Sequence, residues 1–411
     1  MRRVVVTGMG IWSCIGQDLQ TVTESLRQGR SGIIFDPKRI ESGLHSGLVG
    51  NVSRPNLKPL LPRRFRATMS EEAEYSYMAT QEALKQANIS KQFLEQNAVG
   101  LIIGNDGNSE IIDSCKTMDE THDSQMLEPS AWIKSATSNT CIVLSEIFNM
   151  RGICSTICAA CASSSHAIGI AKTFIQSRLH DIIVVGGSCE KRIEVAGLVD
   201  TLGAMSLRNY DPLHASRPFD IDRDGMVPSG GAATLVLEEY EHAVARGATI
   251  FAEIAGYGFS SNGIDEISVP SAEAEYIAMK RAMDDAGLQP SDIDYVNAHG
   301  TSTPIGDIEE AKALTRLFSQ VPKTDSRKPY ISSTKSMTGH ENWMAGASEA
   351  VYSILMMQNG FVAPNINLEH KIDEAKDLNI VTETVYKPIK TVLSNSSGMG
   401  GTNSALVFKK I

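Results

Sequence analysis

The sequence predicts an α/β fold, on three observations. Strand-like and helix-like runs alternate along the chain, 42% of the residues are apolar, and one helix pattern is echoed in the second part. The order opens with the strand "RRVVV", a helix over 71–87, the strand "VGLIIG", a helix from about residue 162 and the strands "DIIVVGG" and "AATLVLEE". It restarts with "TIFAEIAGYG", a helix from Ala272, the strand "IDYVNA", helices from about Asp307 and about Glu341, and the closing strands "TVLSNS" and "SALVFKK". Ala79, Ala83, Leu84, Ala87, Asn88 and Ile89 match Ala278, Ala282, Met283, Ala286, Gly287 and Leu288 at one constant offset. Each set ends its helix on a residue that tolerates the left-handed conformation. Duplication explains the echo, as does the general likeness of Ala-rich amphipathic helices. Under duplication the halves are 1–250 and 251–411, and with no long linker between them they pack as one unit.

At 411 residues and 21% charged, the chain is long enough for a large core in one big or two ordinary domains. The net charge of -10 argues against nucleic acid or an anionic membrane as main partner. No apolar run approaches the ~20 residues of a membrane span. The start "MRRVVVTGMG" lacks the apolar region of a signal peptide, so a cytoplasmic location is expected. The seven cysteines fit reduced thiols better than a disulfide framework.

Three of those cysteines fall in "CSTICAAC", Cys154 to Cys161. The spacing admits a metal cluster, a Cys158/Cys161 redox pair, or one working thiol with two bystanders. "GICSTI" has the pattern of a strand, "CAACASSS" of a turn, and "HAIGIAKTFIQSRL" of a helix. A strand entering a helix does not converge three thiolates on one metal. It places Cys161 at a helix N-terminus, where N–H groups and the helix dipole lower a thiol pKa and favour a nucleophile. Cys154 and Cys158 are then expected to be buried packing residues.

A nucleophilic cysteine needs proton handling and a place for negative charge to develop. "NAHGTSTPIGDIEE" ends a strand with His299, and "STKSMTGHENWMAGASEAV" carries Lys335 and then His340 at a helix start. An isolated His or Lys is more often a structural hydrogen-bonder, but positions at strand ends and helix starts favour a role in a site. "SNSSGMGGTNSALVF" sets three glycines between two strands. Such a segment is a tight hairpin or a backbone N–H donor to an oxyanion.

"ACASS", "HGTSTP", "TKSMTGH" and "GMGGTN", in this order, resemble the condensing enzymes of the thiolase-like superfamily, specifically β-ketoacyl-[acyl-carrier-protein] synthases of types I and II. "VVVTGMGIWSCIG", "SRPFDIDRDGMV" and "APNINLEH" add to the resemblance, which covers nearly the whole chain. It implies a duplicated αβαβα layered fold, a homodimer, no cofactor, and acyl carrier protein as partner. The implied reaction is decarboxylative condensation of malonyl-carrier protein with an acyl chain held on Cys161, in fatty acid biosynthesis. His299 and His340 resemble the pair that assists decarboxylation, and Lys335 the lysine beside them. Backbone N–H groups of Cys161 and Met399 resemble the oxyanion hole. Asp307, Glu310 and Glu349 match supporting acids, and Thr301 and Thr303 the hydroxyls that hold the phosphopantetheine arm. Gly107 in "GNDGN" leans toward type I, and Arg63, Arg64 and Arg66 in "PRRFRA" fall near the patch that docks the carrier protein.

The departures bear on the acyl chain. Ser397 and Met399 stand where the family usually has Phe, Trp343 and Met344 add bulk after His340, and Val199 replaces a common pocket aromatic. Gly107, Val199, Trp343 and Met399 are therefore the expected acyl-pocket residues. A specialised ketosynthase of a polyene, aryl-primed or polyketide-like pathway is the alternative. A non-catalytic chain-length-factor-like subunit would lack the nucleophilic Cys.

Overall fold

The computed structural model describes residues 2–263, 267, 269–319, 321 and 328–411. Its first half contributes strands Val4–Trp12 (β1), Gly100–Gly104 (β2), Cys154–Ile157 (β3), Ile182–Cys189 (β4) and Gly231–Glu239 (β5). The second contributes Ala252–Ser261 (β6), Tyr295–Asn297 (β7), Tyr330–Ser332 (β8), Thr391–Gly398 (β9) and Thr402–Lys409 (β10). They form one mixed sheet in the order β8-β7-β9-β10-β6-β1-β5-β4-β2-β3. β2 pairs β3 and β4 in parallel, while β5 pairs β4 and β1 antiparallel. β7 likewise pairs β8 and β9 in parallel, and β10 pairs β9 and β6 antiparallel. Strand order and direction are thus the same in the two halves, which join where Val5 and Val6 of β1 meet Glu253 and Ala252 of β6.

Among the helices of the described residues, five position the site: Glu71–Gln86 (α1), Ser163–Gln176 (α2), Ala272–Asp285 (α3), Gly306–Leu317 (α4) and Ala345–Asn359 (α5). Ser70 and Ser271 cap α1 and α3 by accepting from the N–H groups of Ala73 and Ala274, and both first turns are acidic. α5 is buried from Ala345 to Met357, as expected of a helix apolar on all faces. α2 and α5 pack on each other and on strands of both halves, so they lie in the middle of a duplicated αβαβα fold.

The helix echo has a packing basis. A Cβ at Gly10 of β1 would lie 2.0 Å from the Ala79 carbonyl oxygen of α1, and one at Gly258 of β6 would lie 2.1 Å from that of Ala278 of α3. Gly8 and Gly256 approach Ala83 and Ala282 in the same way. In both halves the helix backbone rests on strand glycines, and Asn88 and Gly287 beyond the helix ends have φ of +54° and +65°.

Two expectations are corrected. Cys154 and Cys158 are exposed, because β3 is an edge strand with a neighbour on one side only and Cys158 lies beyond its end. The helix expected from about Glu341 begins at Ala345, after a 3₁₀ turn over Asn342–Met344 in which Asn342 has φ of +46°. The Glu341 carboxylate instead accepts from Ser13, Ser348 and Tyr352.

Gly10→Ala is expected to lower stability by about 3 kcal/mol, because the added methyl meets backbone that cannot yield. Gly197→Ala, inside Ile193–Asp200 with only an ordinary 3.7 Å neighbour, is expected to be neutral or to stabilise by up to about 1 kcal/mol. Urea unfolding midpoints of the two variants test this.

Candidate active site

β3 ends at Ile157, and the chain turns through Ala160 at φ +47° before entering α2. That left-handed alanine is held from both sides. Its N–H donates to Asp106 Oδ2 at 2.6 Å, and its carbonyl accepts from Ser163 Oγ at 2.6 Å. Cys161 follows, two residues before α2. Gly398, at the end of β9, passes so close that a Cβ would lie 2.6 Å from the Ala159 carbonyl oxygen, and Thr402 Oγ1 donates to that oxygen at 2.9 Å. This approach sets Met399 beside the thiol, where the N–H groups of Met399 and Cys161 and the charge of Lys335 favour the thiolate. Burial nonetheless outweighs them and pushes the Cys161 thiol above its ordinary value, contrary to the lowering expected from the helix end. The other two cysteines point elsewhere: Cys158 Sγ donates to the Asn105 carbonyl at 3.1 Å, and Cys154 Sγ lies 3.2 Å from Cys141 Sγ.

His299 follows β7 and His340 precedes α5, with ring centroids 5.3 Å apart and planes at 84°. Each ring has its Nδ1 engaged. The Lys335 ammonium reaches His299 Nδ1 at 3.4 Å, and the Asn342 N–H donates to His340 Nδ1 at 3.2 Å. An accepting Nδ1 fixes the neutral tautomer with its proton on Nε2. Burial first, then the Lys335 charge, hold both imidazoles well below the usual histidine range; His340 adds to the effect on His299. The pair is therefore neutral near pH 7 and offers two Nε2–H donors.

Acids position the His299 loop through its backbone, while the His340 N–H donates to the Val227 carbonyl at 2.7 Å. Glu310 accepts from the N–H groups of His299 at 2.7 Å and Gly300 at 2.6 Å and from Asn395 Nδ2 at 3.0 Å. Asp307 accepts from Thr301 N–H at 3.0 Å and Phe219 N–H at 2.7 Å, and burial pushes it up to about 7. Glu349 pairs with the Lys335 ammonium, and burial pushes it up to about 7 against that charge. Thr301 and Thr303 hydroxyls meet at 2.9 Å.

Cys161, His299, His340, Thr301, Thr303, Asp307, Glu310 and Met399 line one cavity of about 430 Å³. Lys335 and Glu349 sit behind it. Of the expected acyl-pocket residues only Met399 lines this cavity. Trp343 lies against Gly107, where a Cβ would come within 2.9 Å of the indole, Met344 is in the core, and Val199 lines a separate small hollow with Asn342. Of the basic cluster, Arg63 and Arg64 are exposed, while Arg66 is partly buried and donates to the Leu61 carbonyl. The sequence did not single out Asn342, Asn395 or Glu275. Nothing marks an Asn after His-Glu as a tautomer lock, and Glu275 has the look of an ordinary first-turn acid.

Lys335→Met removes a charge that lowers the thiol pKa. Alkylation of Cys161 by iodoacetamide near neutral pH is expected to slow about tenfold, because less of the thiol is ionised, and to recover as pH rises. Peptide mass mapping of the modified thiol measures it.

Comparison with known proteins identifies the family. Residues 1–243 match the model of the β-ketoacyl synthase N-terminal domain, and residues 251–369 that of the C-terminal domain. The chain is 41% identical to 3-oxoacyl-[acyl-carrier-protein] synthase 1 of Escherichia coli, covering 100% of both sequences. A β-ketoacyl synthase from Burkholderia phymatum superposes with a TM-score of 0.93 at 34% identity, covering 100% of both chains. A ketosynthase solved in complex with its type II PKS acyl-carrier protein superposes with a TM-score of 0.88 at 28% identity, covering 100% of this chain and 99% of that one. With both halves matched and a relative this similar along its whole length, the chain belongs to the β-ketoacyl synthase family.

Proposed function

We propose that this chain is a type I-like β-ketoacyl-[acyl-carrier-protein] synthase of fatty acid biosynthesis. The observation that carries the reading is the cavity shared by one thiol and two neutral imidazoles with both Nδ1 atoms engaged. The Cys161 thiolate attacks the acyl thioester of a carrier protein. A carbon–sulfur bond forms to Cys161, the bond to the pantetheine sulfur breaks, and the departing sulfur takes up a proton. Malonyl-carrier protein then enters, its carbon–carboxylate bond breaks, and carbon dioxide leaves. The charge left on the thioester oxygen meets the Nε2–H donors of His299 and His340, which need no proton transfer to stabilise it. The carbanion attacks the acyl-Cys161 carbonyl, whose oxyanion meets the N–H groups of Cys161 and Met399. Collapse expels the Cys161 thiolate and yields the β-ketoacyl product.

The remaining residues act around this centre. Lys335 and Glu349 are positioning residues that keep His299 oriented and the pair neutral. Glu310 and Asp307 hold the backbone from His299 to Thr301, so that the two threonine hydroxyls face the phosphopantetheine arm. Arg63 and Arg64 supply local positive charge for an acidic carrier protein on a chain of net charge -10. The free side of β3 suits pairing with a second copy into a homodimer, and exposed Trp132 and Met126 add apolar surface for it. The reaction balances without a cofactor and takes place in the cytoplasm. The names of the relatives favour this reading over a specialised polyene or polyketide ketosynthase, and the thiol with both histidines disfavours a chain-length-factor-like subunit.

Intact mass after incubation with acyl-carrier protein tests the reading. Wild type is expected to gain one acyl group and Cys161→Ala none. His340→Ala is expected to be acylated normally while condensation with malonyl-carrier protein falls by about a hundredfold or more. An equal adduct on wild type and Cys161→Ala, or none on either, contradicts it.

A further inference from the structure

One carboxyl in the cavity wall has no place in the reaction above. Glu275, in the first turn of α3, is 2% exposed and lines the same cavity as Cys161. Its Oε2 is buried without a hydrogen-bond partner. Facing the cavity beside it is Ser397, whose Oγ is also buried without a partner. Ser397 stands at the position where the family resemblance leads one to expect Phe, so a hydroxyl replaces a ring. The Ser397 hydroxyl is near enough to Glu275 to favour the ionised carboxyl, but the contact is too loose to pair Oε2 or Oγ in a well-formed hydrogen bond. Neighbouring Glu310 is already occupied by two N–H groups and Asn395, so it offers Glu275 nothing. Burial and the charge of Glu310 hold Glu275 well above the usual carboxylate range, so it is a neutral acid with one O–H donor and free acceptor capacity.

Two under-satisfied polar groups in the cavity wall are costly unless something hydrogen-bonds to them. An uncharged occupant fits, since the nearby Glu310 charge repels an anion and burial penalises the desolvation of a cation. It must offer both a donor and an acceptor. Hydroxyl and secondary amide groups meet these terms, and a thioester substrate carries such groups in the carrier's arm or in a hydroxylated acyl chain. We propose that Glu275 and Ser397 form a polar subsite that hydrogen-bonds an uncharged hydroxyl or amide of the incoming thioester, making Glu275 a specificity-determining residue of the Cys161 cavity. This rests on the condensing-enzyme reading and adds to it a contact that the reaction chemistry does not require.

The test follows acylation of Cys161 by intact mass with four thioesters: octanoyl and β-hydroxyoctanoyl chains, each on holo-carrier protein and on N-acetylcysteamine, which keeps only the amide nearest sulfur. Glu275→Ala is expected to slow acylation about tenfold with the thioesters that bear the recognised group and to leave the others at the wild-type rate. Glu275→Gln, which keeps a donor and an acceptor, is expected to stay within about twofold of wild type. Slowing of both chains on carrier protein alone places the recognised group in the arm. Slowing of the β-hydroxy chain on either handle places it in the acyl chain. The melting temperature of Glu275→Ala is expected at or above that of wild type, because the carboxyl oxygen removed has no partner in the fold. Equal slowing with all four thioesters that Glu275→Gln restores, at an unchanged melting temperature, places the group in the amide nearest sulfur; equal slowing without that rescue, a lowered melting temperature with uniform loss, or no change with any of them overturns the subsite. Absence of any adduct on wild type overturns the condensing-enzyme reading, and the subsite with it.

Discussion

The site depends on one buried charge. The Lys335 ammonium is 2% exposed, is paired with the Glu349 carboxyl, and reaches His299 Nδ1 at 3.4 Å. A cation in so dry a place must be compensated, and Glu349, with its own affinity for a proton raised by burial, is a matched rather than a strong partner. The incomplete compensation is what the neighbours feel. Burial already disfavours an imidazolium at either ring, and protonating one beside Lys335 would add a second buried positive charge, so both stay neutral, and the proton each keeps is on Nε2. The same charge pulls the Cys161 thiol down against its burial. One lysine therefore biases three protonation states in the direction the condensation needs.

A charge can do this only if the groups it acts on are held still, and the fold supplies that through its small residues. Cys161 comes from the start of α2 in the first half, while His299, Lys335 and His340 come from the second. The halves are locked where α2 and α5 cross. A Cβ at Gly346 would lie 2.6 Å from Ser165 Cβ, Ala347 N–H donates to Ser164 Oγ at 3.0 Å, and Ser165 Oγ meets Ser404 Oγ of β10 at 2.8 Å. The loop after β7 is held differently, by carboxylates bonded to its N–H groups. Glu310 and Asp307 lie on α4, so that helix positions His299 and Thr301 directly. Packing fixes the thiol, carboxylates fix the loop of His299, and backbone hydrogen bonds to Val227 and Ser229 fix His340.

Much of this was legible in the sequence, and the illegible part has a physical pattern. Strand and helix order followed from periodicity, and the echo between α1 and α3 reflects helices resting on strand glycines in both halves. Cys161, His299, Lys335 and His340 were visible because each lies at a strand end or helix start within a dense motif. What sequence could not carry was neighbourhood. Cys154 looks like a packing residue until β3 proves to be an edge strand. A helix-start cysteine suggests a depressed thiol pKa, and only the surrounding burial reverses the sign. That Gly107 and Trp343, far apart in the chain, pack against each other is likewise visible only in three dimensions. Glu275 resembles any first-turn acid, and only its burial in the cavity wall with Oε2 unbonded sets it apart.

The central claim is that His299 and His340 are both neutral and both carry their proton on Nε2. Imidazole ¹⁵N NMR of the intact protein, titrated across the histidine range and assigned through single His→Ala variants, tests it most directly. Both rings are predicted to show the Nε2–H tautomer and to stay neutral well below the ordinary pKa of 6.5. A proton on Nδ1 of either ring, or titration of either at or above 6.5, would contradict the account.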